Sequence, residues 1–129
     1  MMKEKDIQTQ MIQWLTYQPK TFIWRQNAGS MFVDSPTGRH GFRSASVQGI
    51  SDILGIWQGK PLAIEVKRPG NKPTEMQNDF LHRFANAGGL AIVAFSLEGL
   101  VEALVKVQKL TTPFNGMLVY EVSAKGKTL

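Results

Sequence analysis

Cysteine is absent from the 129 residues, and histidine occurs only at His40 and His82. Disulfides, thiolate nucleophiles and cysteine-ligated zinc are thereby excluded, and a zinc centre built on several histidines has too few ligands. Any metal site must rely mainly on oxygen donors, which suit a hard divalent cation. No apolar run approaches the roughly 18 residues that cross a bilayer, and the start Met1-Met2-Lys3-Glu4-Lys5-Asp6 has no signal-peptide apolar core. A soluble, cytoplasmic protein without a membrane partner is expected.

What is present suits one folded unit. A hydrophobic content of 43% is enough for a core, and the length fits a single domain over residues 1–129. Fifteen Lys and Arg against ten Asp and Glu give a formal net charge of +5, and a pI near 9.7. That balance favours a polyanionic partner without proving one.

Ile7, Met11, Trp14 and Leu15 mark an amphipathic helix that ends before Pro19. Residues 21–25 are rich in β-branched and aromatic side chains and read as a short strand. An irregular hairpin is expected around the turn signal Asp34-Ser35-Pro36-Thr37-Gly38, flanked by Met31-Phe32-Val33 and Gly41-Phe42-Arg43. Residues 52–57 and 62–67 form a second hairpin across Gln58-Gly59-Lys60-Pro61. Thr74 and Gln77 have capping-box spacing ahead of a helix with Met76, Phe80, Leu81 and Phe84 on its apolar face, ended by Gly88-Gly89. A buried strand over 90–95 follows. Ser96 caps a helix with Leu97, Leu100, Val101, Leu104 and Val105 inward, and residues 117–122 make a last strand. The order is helix, three strands' worth of β structure, helix, strand, helix, strand. It implies an α/β fold with a mixed sheet covered by helices.

Chemistry concentrates on the second hairpin. Side chains alternate along a strand, so Glu65 and Lys67 share one face while Ile64 and Val66 take the other. Twelve residues, 53 to 64, separate Asp52 from Glu65, and adjacent antiparallel strands bring both acids to one end of the hairpin. Two carboxylates and the Val66 carbonyl would supply oxygen ligands to a cation such as Mg²⁺, with water and phosphate completing the shell. Lys67 beside them would orient an attacking water, stabilise a pentavalent phosphate or accept a proton. Taken alone, Glu-x-Lys is also the pattern of a solvated strand face.

Gly49-Ile50-Ser51-Asp52-Ile53-Leu54-Gly55, Ala63-Ile64-Glu65-Val66-Lys67-Arg68-Pro69-Gly70, Lys72-Pro73-Thr74-Glu75-Met76-Gln77 and Ala87-Gly88-Gly89 together resemble the VRR-Nuc (virus-type replication and repair nuclease) family of the PD-(D/E)xK superfamily. The resemblance runs from the first helix to about Leu104. It implies a restriction-endonuclease-like fold, dependence on Mg²⁺ or Mn²⁺, and DNA cleavage, with Asp52, Glu65 and Lys67 at the catalytic positions. Ser51 stands where the superfamily's name has proline. Gln77 matches a glutamine that tunes the lysine or the scissile phosphate, although a capping box explains it equally. Glu4 resembles the first-helix acid associated with the metal; otherwise it complements the helix dipole, and Asp6 would serve in either role. In Trp24-Arg25-Gln26-Asn27-Ala28-Gly29-Ser30, which also resembles a family segment, Arg25 and Asn27 would touch phosphate. Arg39, His40 and Arg43 would line a DNA surface or form an exposed basic loop. Lys60, Arg68 and Lys72 add charge near the hairpin. Trp14, Trp24 and Trp57 are read as core or interface anchors rather than base-stacking platforms, and His82 as helix surface.

These residues lead us to expect a metal-dependent DNA endonuclease, selective for branched DNA such as four-way junctions. Selectivity without a separate reading module would come from DNA shape and from a homodimer with two sites. The resemblance suggests a phage or prophage role in replication, recombination or repair, in a bacterial or phage-infected host cytoplasm. A less selective nickase, a DNA-binding module without chemistry, and a metal-binding structural protein are the alternatives.

Overall fold

The computed structural model describes residues 2–26 and 47–120 in full, and the backbone of 30–34 and 40–44. The expectations for Asn27, Arg39, the side chains of His40 and Arg43, the turn at 35–38 and the strand end at 121–122 lie outside the described residues.

Helix α1, Glu4–Thr16, forms where apolar residues recur every four positions, and Ile7, Met11 and Leu15 are its buried side chains. The chain turns at Pro19 into strand β1, Thr21–Arg25. Strands β2, Ser30–Asp34, and β3, His40–Ser44, pair antiparallel in a two-stranded sheet of their own. Strands β4, Ile53–Trp57, and β5, Lys60–Val66, make the expected second hairpin. Helix α2, Glu75–Asn86, strand β6, Leu90–Ala94, helix α3, Leu97–Gln108, and strand β7, Met117–Tyr120, complete the order. Between α1 and α2 lie five strands, three of which enter the main sheet.

That sheet has the order β1-β4-β5-β6-β7. Its first three strands are antiparallel neighbours, and β5, β6 and β7 run parallel, linked through α2 and α3. The fold is therefore α/β with a mixed sheet flanked by three helices. On one face Ile53, Leu62, Ile64, Leu90 and Ile92 pack with Ile7, Met11 and Leu15 of α1 and Leu100, Leu104 and Val107 of α3. On the other, Ala91 and Val93 pack with Leu81 and Ala85 of α2. Among the described residues no helix is long and apolar enough to cross a membrane.

Several details depart from expectation. The hairpin link is only Gln58-Gly59, because both residues adopt positive φ (49° and 80°), the conformation whose twist matches the flanking strands. Lys60 and Pro61 belong to β5, and Pro61 stands one position outside the ladder with β6, which begins at Leu62. Met76 is 55% exposed and Val105 is 39% exposed. The inward stripe of α3 runs instead through Leu100, Ala103, Leu104 and Val107, following the helical period around the first strongly buried leucine. Trp57 is buried, and Trp14 packs partly on the core, but Trp24 is 44% exposed.

All three helices begin at the same end of the sheet. Helices α2 and α3 leave the carboxyl ends of β5 and β6, and Glu4 at the start of α1 reaches the Arg68 amide just beyond β5. The segment before Asp52 is pinned to this end by Gly49, whose φ is +74°; a Cβ there would overlap the Met76 carbonyl in the first turn of α2. Gly59 also has positive φ, yet nothing lies within reach of its missing Cβ. Gly59→Ala should cost about 1 kcal/mol through backbone conformation alone. Gly49→Ala should cost roughly 1–3 kcal/mol more, from the added overlap with backbone. Urea denaturation measures both, and equal losses would contradict the close approach at Gly49.

Candidate active site

The register that sets Ile53 opposite Ile64 carries Asp52, one residue earlier, across from Glu65. Both acids, with Lys67, project to the face on which α2 packs, while Ile53, Ile64 and Val66 fill the opposite core. Alternation along two antiparallel strands is thus enough to collect the three groups at one sheet end.

The Val66 amide donates to Oδ2 of Asp52 at 2.8 Å. Val66 thus enters the site through its N–H, a contact separate from the carbonyl to which the sequence pointed. Glu65 is 1% exposed, and its Oε2 lies 3.5 Å from Nζ of Lys67, whose side chain is itself mostly buried. The other oxygen, Oε1, is buried without a hydrogen-bond partner. Burial pushes the Glu65 carboxyl up to about 8, the adjacent Asp52 charge adds to the rise, and Lys67 opposes it. Asp52 is raised as well, chiefly by burial, against the pull of the Val66 amide, a hydrogen bond with Glu65 and the Lys67 charge.

The electrostatics of this cluster are short of positive charge. Two ionised carboxylates face one ammonium in a water-poor setting, and neutrality requires either a proton on the pair or a further cation. The unpartnered Oε1 of Glu65 is an acceptor that such a cation would satisfy. Hard divalent cations take oxygen ligands of this kind and keep several waters, so two carboxylates suffice. Among the described residues no group of three or more His, Cys, Asp or Glu is arranged to hold a metal.

Glu4 is placed beside the pair rather than within it. Its Oε2 accepts from Nδ2 of Asn71 at 3.2 Å and from the Arg68 amide at 3.4 Å, and its charge contributes to raising Asp52. It lies in the first turn of α1 and so fills its dipole role too. Gln77 forms the full capping box: its Oε1 accepts from the Thr74 amide at 2.8 Å, and its own amide donates to the Thr74 hydroxyl. Its contacts are those of a helix cap. Arg25 does not join the cluster. Paired with Ile53, it lies on the α1 face, where its guanidinium donates to the Thr9 hydroxyl at 2.7 Å. Arg68 and Lys72 are exposed on the loop beyond β5.

The role of Asn71 and the burial of Ser51 are not foretold by the sequence. Asn71 holds Glu4, and its position after Pro-Gly signals only a turn. Ser51 is fully buried with an unpartnered hydroxyl, which its place before Asp52 does not foretell. The chain matches no protein-family model and no curated protein at a significant level.

The raised acids set a pH dependence. Glu65 has a folded value near 8 against an ordinary 4.5, so between these limits the folded protein holds a proton that the unfolded chain has released. Stability without metal is full below pH 4.5 and falls as pH rises toward 8. In EDTA the melting temperature should drop by about 5–10 °C between pH 5 and pH 8. Glu65→Gln, which cannot ionise, should flatten most of that slope. A wild-type melting temperature independent of pH would show that the pair is not strained.

Proposed function

We propose that this protein is a divalent-metal-dependent DNA endonuclease of the VRR-Nuc type in the PD-(D/E)xK superfamily, acting on branched DNA such as four-way junctions. The observation that carries the proposal is the buried Glu65 and half-buried Asp52 beside Lys67, with one Glu65 oxygen unpartnered. A structural ion pair would bring equal numbers of acids and bases. An excess of partly desolvated acid over base supports a cation site.

Asp52 and Glu65 would hold Mg²⁺ or Mn²⁺, with the Val66 carbonyl and Glu4 as further oxygen donors. The bound metal supplies charge neutralisation at the scissile phosphate and lowers the pKa of a coordinated water. Lys67, held by Glu65 at 3.5 Å, keeps an ammonium at the mouth of the site, where it orients the attacking water and stabilises the charge of the pentavalent transition state. The amino ends of α1, α2 and α3 converge on the same sheet end and favour an anion there. Arg68 and Lys72 extend the positive surface toward flanking phosphates. Gln77 contributes by holding the first turn of α2, against which Gly49 and hence Asp52 are set. A homodimer would present two such sites to a junction; light scattering at micromolar concentration distinguishes it from the 14.4 kDa monomer.

Labelled linear duplex, single strand, flap and four-way junction, incubated with Mg²⁺, Mn²⁺ or EDTA, test the reading. Junction cutting should need metal and fall by about 10²–10⁴ in Glu65→Ala and Lys67→Ala. Equal cutting of every substrate would leave a nickase of low selectivity. Binding with no cutting under any metal would overturn the enzyme in favour of a DNA-binding module.

A further inference from the structure

The sheet face that carries Glu65 is covered unevenly. Helix α2 lies over β6 and β7 and touches β5. Over the other half, Phe22 is 72%, Ile56 50% and Trp24 44% exposed. Phe22 is opposite Ile56 and Trp24 opposite Leu54, so these four side chains share the face of Asp52. Leu54 is two residues from Asp52, which puts Trp24 on the adjacent strand about 7–9 Å from the acid along the sheet.

Two exposed aromatic rings on a sheet face need a partner to explain them. A stable subunit interface buries roughly 800 Å² on each side, far more than this patch of four side chains offers. Flat bases are the better fit. Base stacking on aromatic rings is tolerant of sequence and accompanies basic proteins that track a phosphate backbone, and this chain carries a net +5. The ring geometry selects the kind of base. The Phe22 and Trp24 centroids are 6.0 Å apart with planes tilted by 54°. A continuous stack repeats about every 3.4 Å along a strand, so the two rings cannot both join one stack. Each can take one base of an unstacked strand. The Trp24 indole N–H donates to Oε1 of Gln26 at 3.1 Å, which holds the ring edge and leaves its face for contact.

We propose that Phe22 and Trp24 form a stacking platform for unpaired bases of the substrate strand, one or two nucleotides from the phosphate at Asp52, Glu65 and Lys67. This inference rests on the nuclease reading and deepens it. Bases in an intact duplex keep their faces in the stack, so the platform favours single-stranded segments and branch points over continuous duplex.

The test measures binding of an oligo-dT strand, and of the same strand annealed to oligo-dA, in EDTA and in Ca²⁺. Anisotropy and tryptophan fluorescence report binding for wild type, Phe22→Ala, Trp24→Ala and Trp24→Phe, with thermal melting to confirm folding. Oligo-dT should quench wild-type fluorescence, and Trp24→Ala should abolish most of the quench. Each alanine should weaken single-strand binding roughly tenfold and duplex binding less than twofold, with Trp24→Phe recovering most of the loss. Equal losses on strand and duplex, or none, would overturn the platform while leaving the nuclease reading intact. A variant that halves the mass in light scattering would overturn it in favour of contact between copies. Wild type that binds neither DNA in either condition would overturn the platform, while the nuclease reading stands or falls on cleavage of the four-way junction.

Discussion

A buried acid and a half-buried one, set side by side with a single base, constrain everything else at this end of the molecule. Glu65 is kept from water by the sheet, Asp52 only in part, and Lys67 balances only one of them. Such a cluster persists in a folded protein only if the surroundings offset the missing charge. The Val66 amide does part of this by bonding Asp52, and a proton on the pair does more. The three helix amino ends at the same sheet end supply partial positive charge without adding another side chain. Oε1 of Glu65 still remains without a hydrogen-bond partner.

Mixed topology is what makes the cluster compact. The antiparallel β4–β5 hairpin sets acid against acid, which a parallel pair would achieve only through a long crossover. The parallel β5–β6 connection then returns α2 across the sheet with its first turn at the acids. Gly49 joins these arrangements, since the chain entering β4 passes so close to the Met76 carbonyl that no side chain fits. Thr74 and Gln77 hold the same turn from its other side. The capping box is therefore a positional element of the site as well as a helix stop.

Local signals in the sequence were legible because each needs only near neighbours. The stripe of Ile7, Met11 and Leu15, the Thr74 and Gln77 cap, and the pairing that faces Asp52 to Glu65 all follow from helical or strand period. What depends on a third partner was not. Met76 has an apolar side chain at a helix start, but the turn there faces the Gly49 segment and solvent rather than the sheet. Arg25 neighbours the site across the sheet, opposite Ile53, yet strand alternation sends it to α1. Glu4 was placed near the acids, but its capture by Asn71 and the Arg68 amide depends on a loop whose path no periodicity reveals. Trp24 follows the same logic: its residue type points inward, yet among the described residues α2 extends mainly over β5, β6 and β7 and leaves Trp24 exposed.

That extent has a physical meaning for the whole face. Exposing Phe22 and Ile56 forgoes burial worth roughly 1.5–3 kcal/mol for each side chain, a large share of the 5–15 kcal/mol that holds a typical domain together. A longer or shifted α2 would recover that energy. It would also close the strip of sheet leading to Asp52 and Glu65, and a phosphate backbone could then reach the acids only from the sheet end. Among the described residues the parallel half of the sheet is covered, where Ala91 and Val93 receive Leu81 and Ala85, and the antiparallel half is left exposed at Phe22, Trp24 and Ile56. The acids sit at the border between the two. On the nuclease reading, a polymer lying along the open half would meet aromatic rings first and the acid cluster next, and the boundary of α2 would align a strand with the site.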